Sequence, residues 1–211
     1  MPLDLPSSPH RAPLSNLTVE PHMRPFPKAR VDALCDGIFA FAMTLLVVDI
    51  RLPEGLAVTT SAELAQQLTR LTPQAVAYVI SFFVLAAEWR ATIAIRHDTE
   101  AVSGRALQVW LWFLLFVTMV PFSSALVGRY GHLPLAVWVY AFNMAGLGLL
   151  SLPLHRMEVP AAVRTQGSAG QRRTFLFIGS AVASVLVSLW APNYAMYAYL
   201  LNALGRVPPF R

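Results

Sequence analysis

Of the 211 residues in this chain, 56% are hydrophobic and only 13% are charged, and the mean hydropathy is +0.54. Soluble domains carry roughly 25% charged residues, so the composition excludes an ordinary soluble fold and indicates an integral membrane protein. The net charge of +5 superficially suits a nucleic-acid binder, but the arginines fall in short segments between apolar runs, where they set membrane orientation, so nucleic acid is not an expected partner. The lone Cys35 excludes an intrachain disulfide and a zinc cluster built from thiolates.

Residues 1–29 are rich in proline and lack apolar periodicity, and they read as a flexible cytoplasmic tail. They have neither the apolar core nor the cleavage site of a secretory signal, so the first membrane helix is expected to be retained.

The first apolar run, Arg30 to Pro53, is long enough to cross a bilayer yet holds Asp36, Thr44 and Asp49. A carboxylate in hydrocarbon costs about 3 kcal/mol on insertion scales, so these acids are expected to face protein or water rather than lipid. Ile38, Phe41, Leu45 and Val48 recur at three- and four-residue intervals and form one bulky apolar stripe, with Ala40, Ala42 and Thr44 beside it. The Thr44 hydroxyl has a backbone carbonyl one turn earlier, or a neighbouring helix, within reach. Periodicity by itself suits a lipid-facing or core stripe better than a pore.

A second run, Pro73 to Ile95, carries Glu88, Trp89 and Arg90 near its inner end. At about 1.5 Å per residue, Asp36 lies about 9 Å beyond Arg30 and Glu88 lies at a similar depth. Arg30, Asp36, Glu88 and Arg90 are therefore expected to form a charge network in which at least one acid pairs with an arginine. Such a network either fastens helices together or takes part in ion or proton handling.

Four further runs follow: Leu107 to Gly128, Pro134 to Leu154, Thr174 to Trp190 and Pro192 to Pro208. Gly146 and Gly148 suit close helix contact, and Ser180, Ser184 and Ser188 form a small-residue packing face. The last two runs are short and separated by a tight turn, which leaves a re-entrant hairpin as an alternative to two spans. The basic segment around Gly167 to Gly170, with Arg164, Arg172 and Arg173, suits anionic headgroups.

Six spans divide the lysines and arginines 13 to 3 between the two sides, only Arg51, Arg70 and Arg129 lying on the poorer one. The positive-inside rule then puts both termini in the cytoplasm, with residues 30–208 as the membrane domain and 209–211 as a cytoplasmic end. Tyr130, Trp138, Trp190 and Tyr194 collect on the outer side, as an aromatic belt does. The histidines are dispersed and no serine has a histidine placed as its base, so neither a metal site nor an enzyme is expected, and no cofactor is called for.

The residues Arg30-x-x-x-Leu34-Cys35-Asp36-Gly37, followed by Ile38-Phe39-Ala40-Phe41-Ala42-Met43-Thr44-Leu45-Leu46-Val47, resemble the Arg-x-x-x-Phe-Ser-Asp signature and first helix of the transmembrane protein 175 family of potassium channels. The similarity continues through Ser81-Phe82 and Trp89, and through Val120-Pro121-Phe122 near the outer end of the third run. It implies an all-α membrane protein with six transmembrane helices per subunit, assembled as a homotetramer in which the first helix lines a central pore. Potassium ions are the implied permeant species, the lipid bilayer the implied surroundings, and an inner or plasma membrane the implied location.

Carried over by position, Phe41, Leu45 and Val48 become the constrictions, with Thr44 the polar site between them and Ile38 also lining the pore. Arg30, Asp36 and Trp89 fall on the signature and its surroundings, with Glu88 and Arg90 beside them. The chain departs from the family pattern at Leu34-Cys35, which replaces Phe-Ser, and at Phe41, which stands where isoleucine is common. Thr92 and Trp110 replace a histidine and an asparagine of the family's polar network. A proton-coupled secondary transporter using Asp36 or Glu88, and a nonconducting membrane protein, are the alternative readings.

Overall fold

Helix α1 (Lys28–Val48) begins immediately after Pro27, two residues before the expected start at Arg30. The carbonyls at its far end are met by a basic side chain, because Arg51 Nε donates to the Val48 carbonyl at 3.1 Å, a favourable placement at the negative end of the helix dipole. The computed structural model describes residues 26–53, 55, 58–95, 101–158 and 168–199, and the proline-rich residues 1–25 lie outside it.

α1 is followed by a short polar helix, α2 (Ser61–Arg70), then by α3 (Thr72–Ile95), α4 (Gly104–Tyr130), α5 (Pro134–Glu158), α6 (Ser168–Ser188) and a 3-10 helix over Pro192–Tyr199. A two-residue antiparallel pairing joins β1 (Phe26–Pro27) to β2 (Ala101–Val102), which ties the start of α1 to the start of α4. At the opposite end the Arg129 guanidinium lies 3.9 Å from the Asp49 carboxylate and reaches the Asp49 carbonyl at 3.4 Å. α1 and α4 therefore run in the same direction, with α3 and α5 returning between their ends.

Four of these helices are long and apolar enough to cross a membrane: Lys28–Val48, Thr72–Ile93, Gly104–Tyr130 and Pro134–Leu154. They match the first four expected runs closely. In α6 the described apolar stretch is Phe177–Ser188, shorter than the roughly 20 residues that a span needs. The sixth expected run enters as a 3-10 helix, and its remainder, from residue 200, lies outside the described residues. The fold is thus all-helical apart from the two-residue pairing, with four candidate spans among the described residues.

α4 is the central helix, packed against α1, α3 and α5, and α6 covers the far side of α5. Close approach is built from small residues, as membrane helices require in the absence of a hydrophobic drive between them. A Cβ on Gly128 would lie 3.1 Å from the Gln74 backbone of α3, and one on Gly148 would lie 2.9 Å from Ile178 of α6. A Cβ on Gly146 would overlap the Phe116 ring of α4. Gly146 and Gly148 thus serve the close contacts expected of them.

α2 was not among the expected elements, since it is neither long nor apolar. Its start is fixed by a capping box: Thr60 Oγ1 accepts from Glu63 N at 3.2 Å, and the Glu63 carboxylate accepts from Thr60 N at 3.2 Å and Thr59 N at 2.8 Å. These backbone amides hold the Glu63 carboxyl below its ordinary value of 4.5. None of its ten residues is buried, and Leu64 and Leu68 are exposed along one side.

Candidate functional site

The two faces of α1 differ in what covers them. Val31, Cys35, Phe39, Ala42 and Leu46, at intervals of four and three residues, are buried against α3 and α4. Phe39 anchors this face, its ring 6.1 Å from that of Phe113, which in turn meets Trp110 edge-on at 5.6 Å. The expected stripe runs along the flank of this buried face, about a quarter-turn round the helix. Phe41 is 64% exposed, Leu45 36% and Val48 52%, Thr44 is also exposed, and Ile38 is half-buried. Phe41, Thr44, Leu45 and Val48 therefore lie outside the protomer's own core, whereas Ile38 packs against its edge.

Thr44 makes the local bond open to it. Its hydroxyl donates to the Phe41 carbonyl at 2.8 Å, so its one proton is turned back onto the helix while the oxygen keeps accepting capacity on the exposed face. The outward stripe is thus uncharged from Ile38 to Val48, with one oxygen acceptor in its middle.

At the inner end, Trp89 of α3 donates its indole N–H to an Asp36 carboxylate oxygen at 2.9 Å. This bond joins α1 to α3 on an exposed side of the protomer. Glu88, adjacent in sequence, turns inward and is buried, whereas Arg30 and Arg90 are exposed. The bond described for Asp36 therefore runs to an indole, a partner absent from the expected set of guanidinium groups. Thr92 is buried with its hydroxyl donated to the Trp89 carbonyl at 2.7 Å, and Trp110 is buried beside Phe113. The two positions that depart from the family's polar network are thus filled by packing and by a local bond.

The spans also enclose a polar cluster that sequence reasoning did not assemble. Ser81 of α3 donates to Ser124 of α4 at 2.9 Å and lies 3.1 Å from the Tyr140 hydroxyl of α5, while Ser124 donates to the Ala77 carbonyl at 3.3 Å. One turn away, the Asn143 amide of α5 lies against the backbone of α4. Oriented so that donors meet acceptors, its nitrogen donates to the Phe116 carbonyl and its oxygen accepts from Val120 N, each at 3.2 Å. All of these side chains are buried. Their signal in the sequence was polar residues inside apolar runs, legible singly but not as a cluster. Tyr130, Trp138, Trp190 and Tyr194 are all exposed, and the Trp138 indole donates to Ser188 Oγ at 3.1 Å, which sets the end of α6 level with the start of α5.

Residues 30–121, which include all but the first two residues of α1, all of α2 and α3, and most of α4, match the family described as endosomal/lysosomal potassium channel TMEM175. Over this stretch the chain is similar to that family. Among its relatives, a potassium channel of Streptomyces collinus is 28% identical over 194 residues, covering 82% of this chain and 91% of its own length. A potassium channel of Chamaesiphon minutus is 35% identical over 106 residues, which is 48% of this chain and 49% of that one. The crystal structure of a lysosomal potassium-selective channel TMEM175 homolog from Chamaesiphon minutus shares the fold, with a TM-score of 0.70 at 23% identity over 84% of this chain and 95% of that one. With four helices long and apolar enough to cross a membrane, the chain is a multi-pass membrane protein that resembles potassium channels in sequence and shares the fold of one.

Proposed function

We propose that this protein is a member of the TMEM175 family and a potassium-permeable channel subunit, and that four copies enclose an axial pore lined by Ile38, Phe41, Thr44, Leu45 and Val48 of α1. The observation that carries this reading is the division of α1 into a buried anchoring face and an uncharged outward face that its own protomer leaves uncovered. Potassium channel relatives and the shared fold support a channel over a proton-coupled carrier or a nonconducting protein.

In this reading conduction is passive. Rings of Phe41, Leu45 and Val48 narrow the path, and apolar constrictions of this kind gate by expelling water. Thr44 places a ring of hydroxyl oxygens between Phe41 and Val48, each with its proton already donated to the helix and its lone pairs free to meet a cation. Asp36, held by Trp89, and Arg30 shape the cytoplasmic mouth. Asp49, paired with Arg129, stands at the outer mouth. Both termini lie in the cytoplasm, and the subunit resides in the inner or plasma membrane.

The reading is tested by potassium flux through purified Phe41→Ala protein in liposomes. Removing four rings from the narrowest level raises flux above that of the unaltered protein, whereas unchanged flux in a folded oligomer counts against Phe41 as a constriction.

A further inference from the structure

We infer that α4 contains a hinge at residues 116–121 that is latched by the Asn143 amide of α5. Pro121 lies within α4, is buried, and has no N–H to give to the Val117 carbonyl. Immediately before it, the Asn143 amide bridges the Phe116 carbonyl and the Val120 N–H, a donor and acceptor related as i and i+4. Two recognised causes of helix bending, a proline and a side chain set into the hydrogen-bond ladder, therefore coincide in one turn. The Phe116 carbonyl and Val120 N–H that Asn143 meets are the helical pair just before the Val117 carbonyl that Pro121 leaves without its donor, so the amide from α5 braces the turn next to the gap in the ladder rather than filling the gap.

The surroundings allow movement at this turn. An apolar cavity of about 200 Å³, open along the outer surface of the bundle, lies beside it, lined by Phe116, Met119 and Phe122 of α4 and by Phe142 and Asn143 of α5. The Phe116 ring passes directly over Gly146, where any Cβ would block it. The hinge also divides α4 by function. Its inner half carries Trp110 and Phe113, which hold Phe39 of α1. Its outer half carries Ser124, bonded to α3, and Arg129, bonded to the end of α1. A bend at the latch thus moves the outer end of α1, where Leu45 and Val48 stand, relative to Phe39. The effect on conduction rests on the pore reading above, but the latch itself does not.

Hydrogen exchange followed by mass spectrometry on the full chain in lipid nanodiscs tests the latch. Asn143→Leu is expected to speed exchange at least tenfold in residues 118–124 while leaving 106–114 unchanged. Adding Pro121→Ala, which restores the missing N–H, is expected to return the segment towards its original rate. Pro121→Ala alone is expected to slow exchange in the same segment, and it keeps the test open if Asn143→Leu does not fold. An Asn143→Leu effect spread evenly over α4 and α5, no effect in 118–124, or no slowing by Pro121→Ala overturns the latch. These readouts need no ion flux, so their failure leaves the channel reading standing, and a failure of the channel reading leaves them intact.

Discussion

The indole N–H of Trp89 lies 2.9 Å from an Asp36 carboxylate oxygen, and this bond ties α3 to the inner turns of the helix that carries the outward stripe. A hydrogen bond to a charged group contributes about 1.5–3 kcal/mol. Trp89→Phe keeps an aromatic ring but removes the donor, so it is expected to destabilise the folded protein by about 1–2 kcal/mol. Asp36→Asn retains an acceptor but no charge, so the tryptophan substitution costs less in that background. A double-mutant cycle in detergent unfolding measures the coupling, and additive costs show that the bond contributes nothing.

Glycine contacts give a second prediction, in which the identity of the neighbouring atom matters more than its distance. At Gly128 an added Cβ meets the Gln74 backbone, which moves only if α3 and α4 separate, whereas at Gly146 it meets the Phe116 ring, which has the cavity to turn into. Gly128→Ala is therefore expected to cost about 1–3 kcal/mol and Gly146→Ala less. Thermal unfolding of the two variants ranks them, and the reverse order contradicts this assignment of the constraint.

The cap of α2 gives a pH dependence outside the membrane. Amides of Thr59 and Thr60 lower the folded Glu63 value, so the carboxylate stabilises the cap fully above its unfolded value, ordinarily 4.5, and that stabilisation is lost as pH falls through the lower folded value. Exchange of the Thr59 and Thr60 amides is expected to rise, relative to neighbouring amides, on acidification through this window. Glu63→Gln removes the pH dependence. A pH response that persists in Glu63→Gln assigns it to another group.

The stripe on α1 shows how far the sequence reaches. The four- and three-residue intervals of Ile38, Phe41, Leu45 and Val48 define a face from the sequence alone, and the helix presents it as one. Whether that face turns inward depends on Val31, Cys35, Phe39, Ala42 and Leu46, an equally apolar stripe with the same periodicity, so hydrophobicity cannot rank the two. Only packing against Phe113 decides. Trp89 stands among the residues that the resemblance picks out, but charge complementarity, which points to arginine, does not single out its neutral indole as the group that bonds Asp36. α2 is short and polar, so apolar runs do not reveal it, although Thr60-Ser61-Ala62-Glu63 carries a capping-box pattern that marks a helix start. Beyond Tyr199 the sixth run lies outside the described residues.

Assembly provides a further prediction. An apolar face left uncovered by its own protomer requires either lipid or another copy, and a shared pore requires another copy. Mass measurement of the purified protein in mild detergent is expected to give four subunits. A stable monomer removes the axial pore.

The most direct measurement is potassium flux from liposomes containing the purified, unaltered protein, with a protonophore present so that no proton gradient exists. Flux that rises with the amount of protein and is insensitive to the protonophore is the result that passive conduction through α1 predicts. Flux that requires a proton gradient, or no flux from either the unaltered protein or a folded Phe41→Ala oligomer, contradicts it.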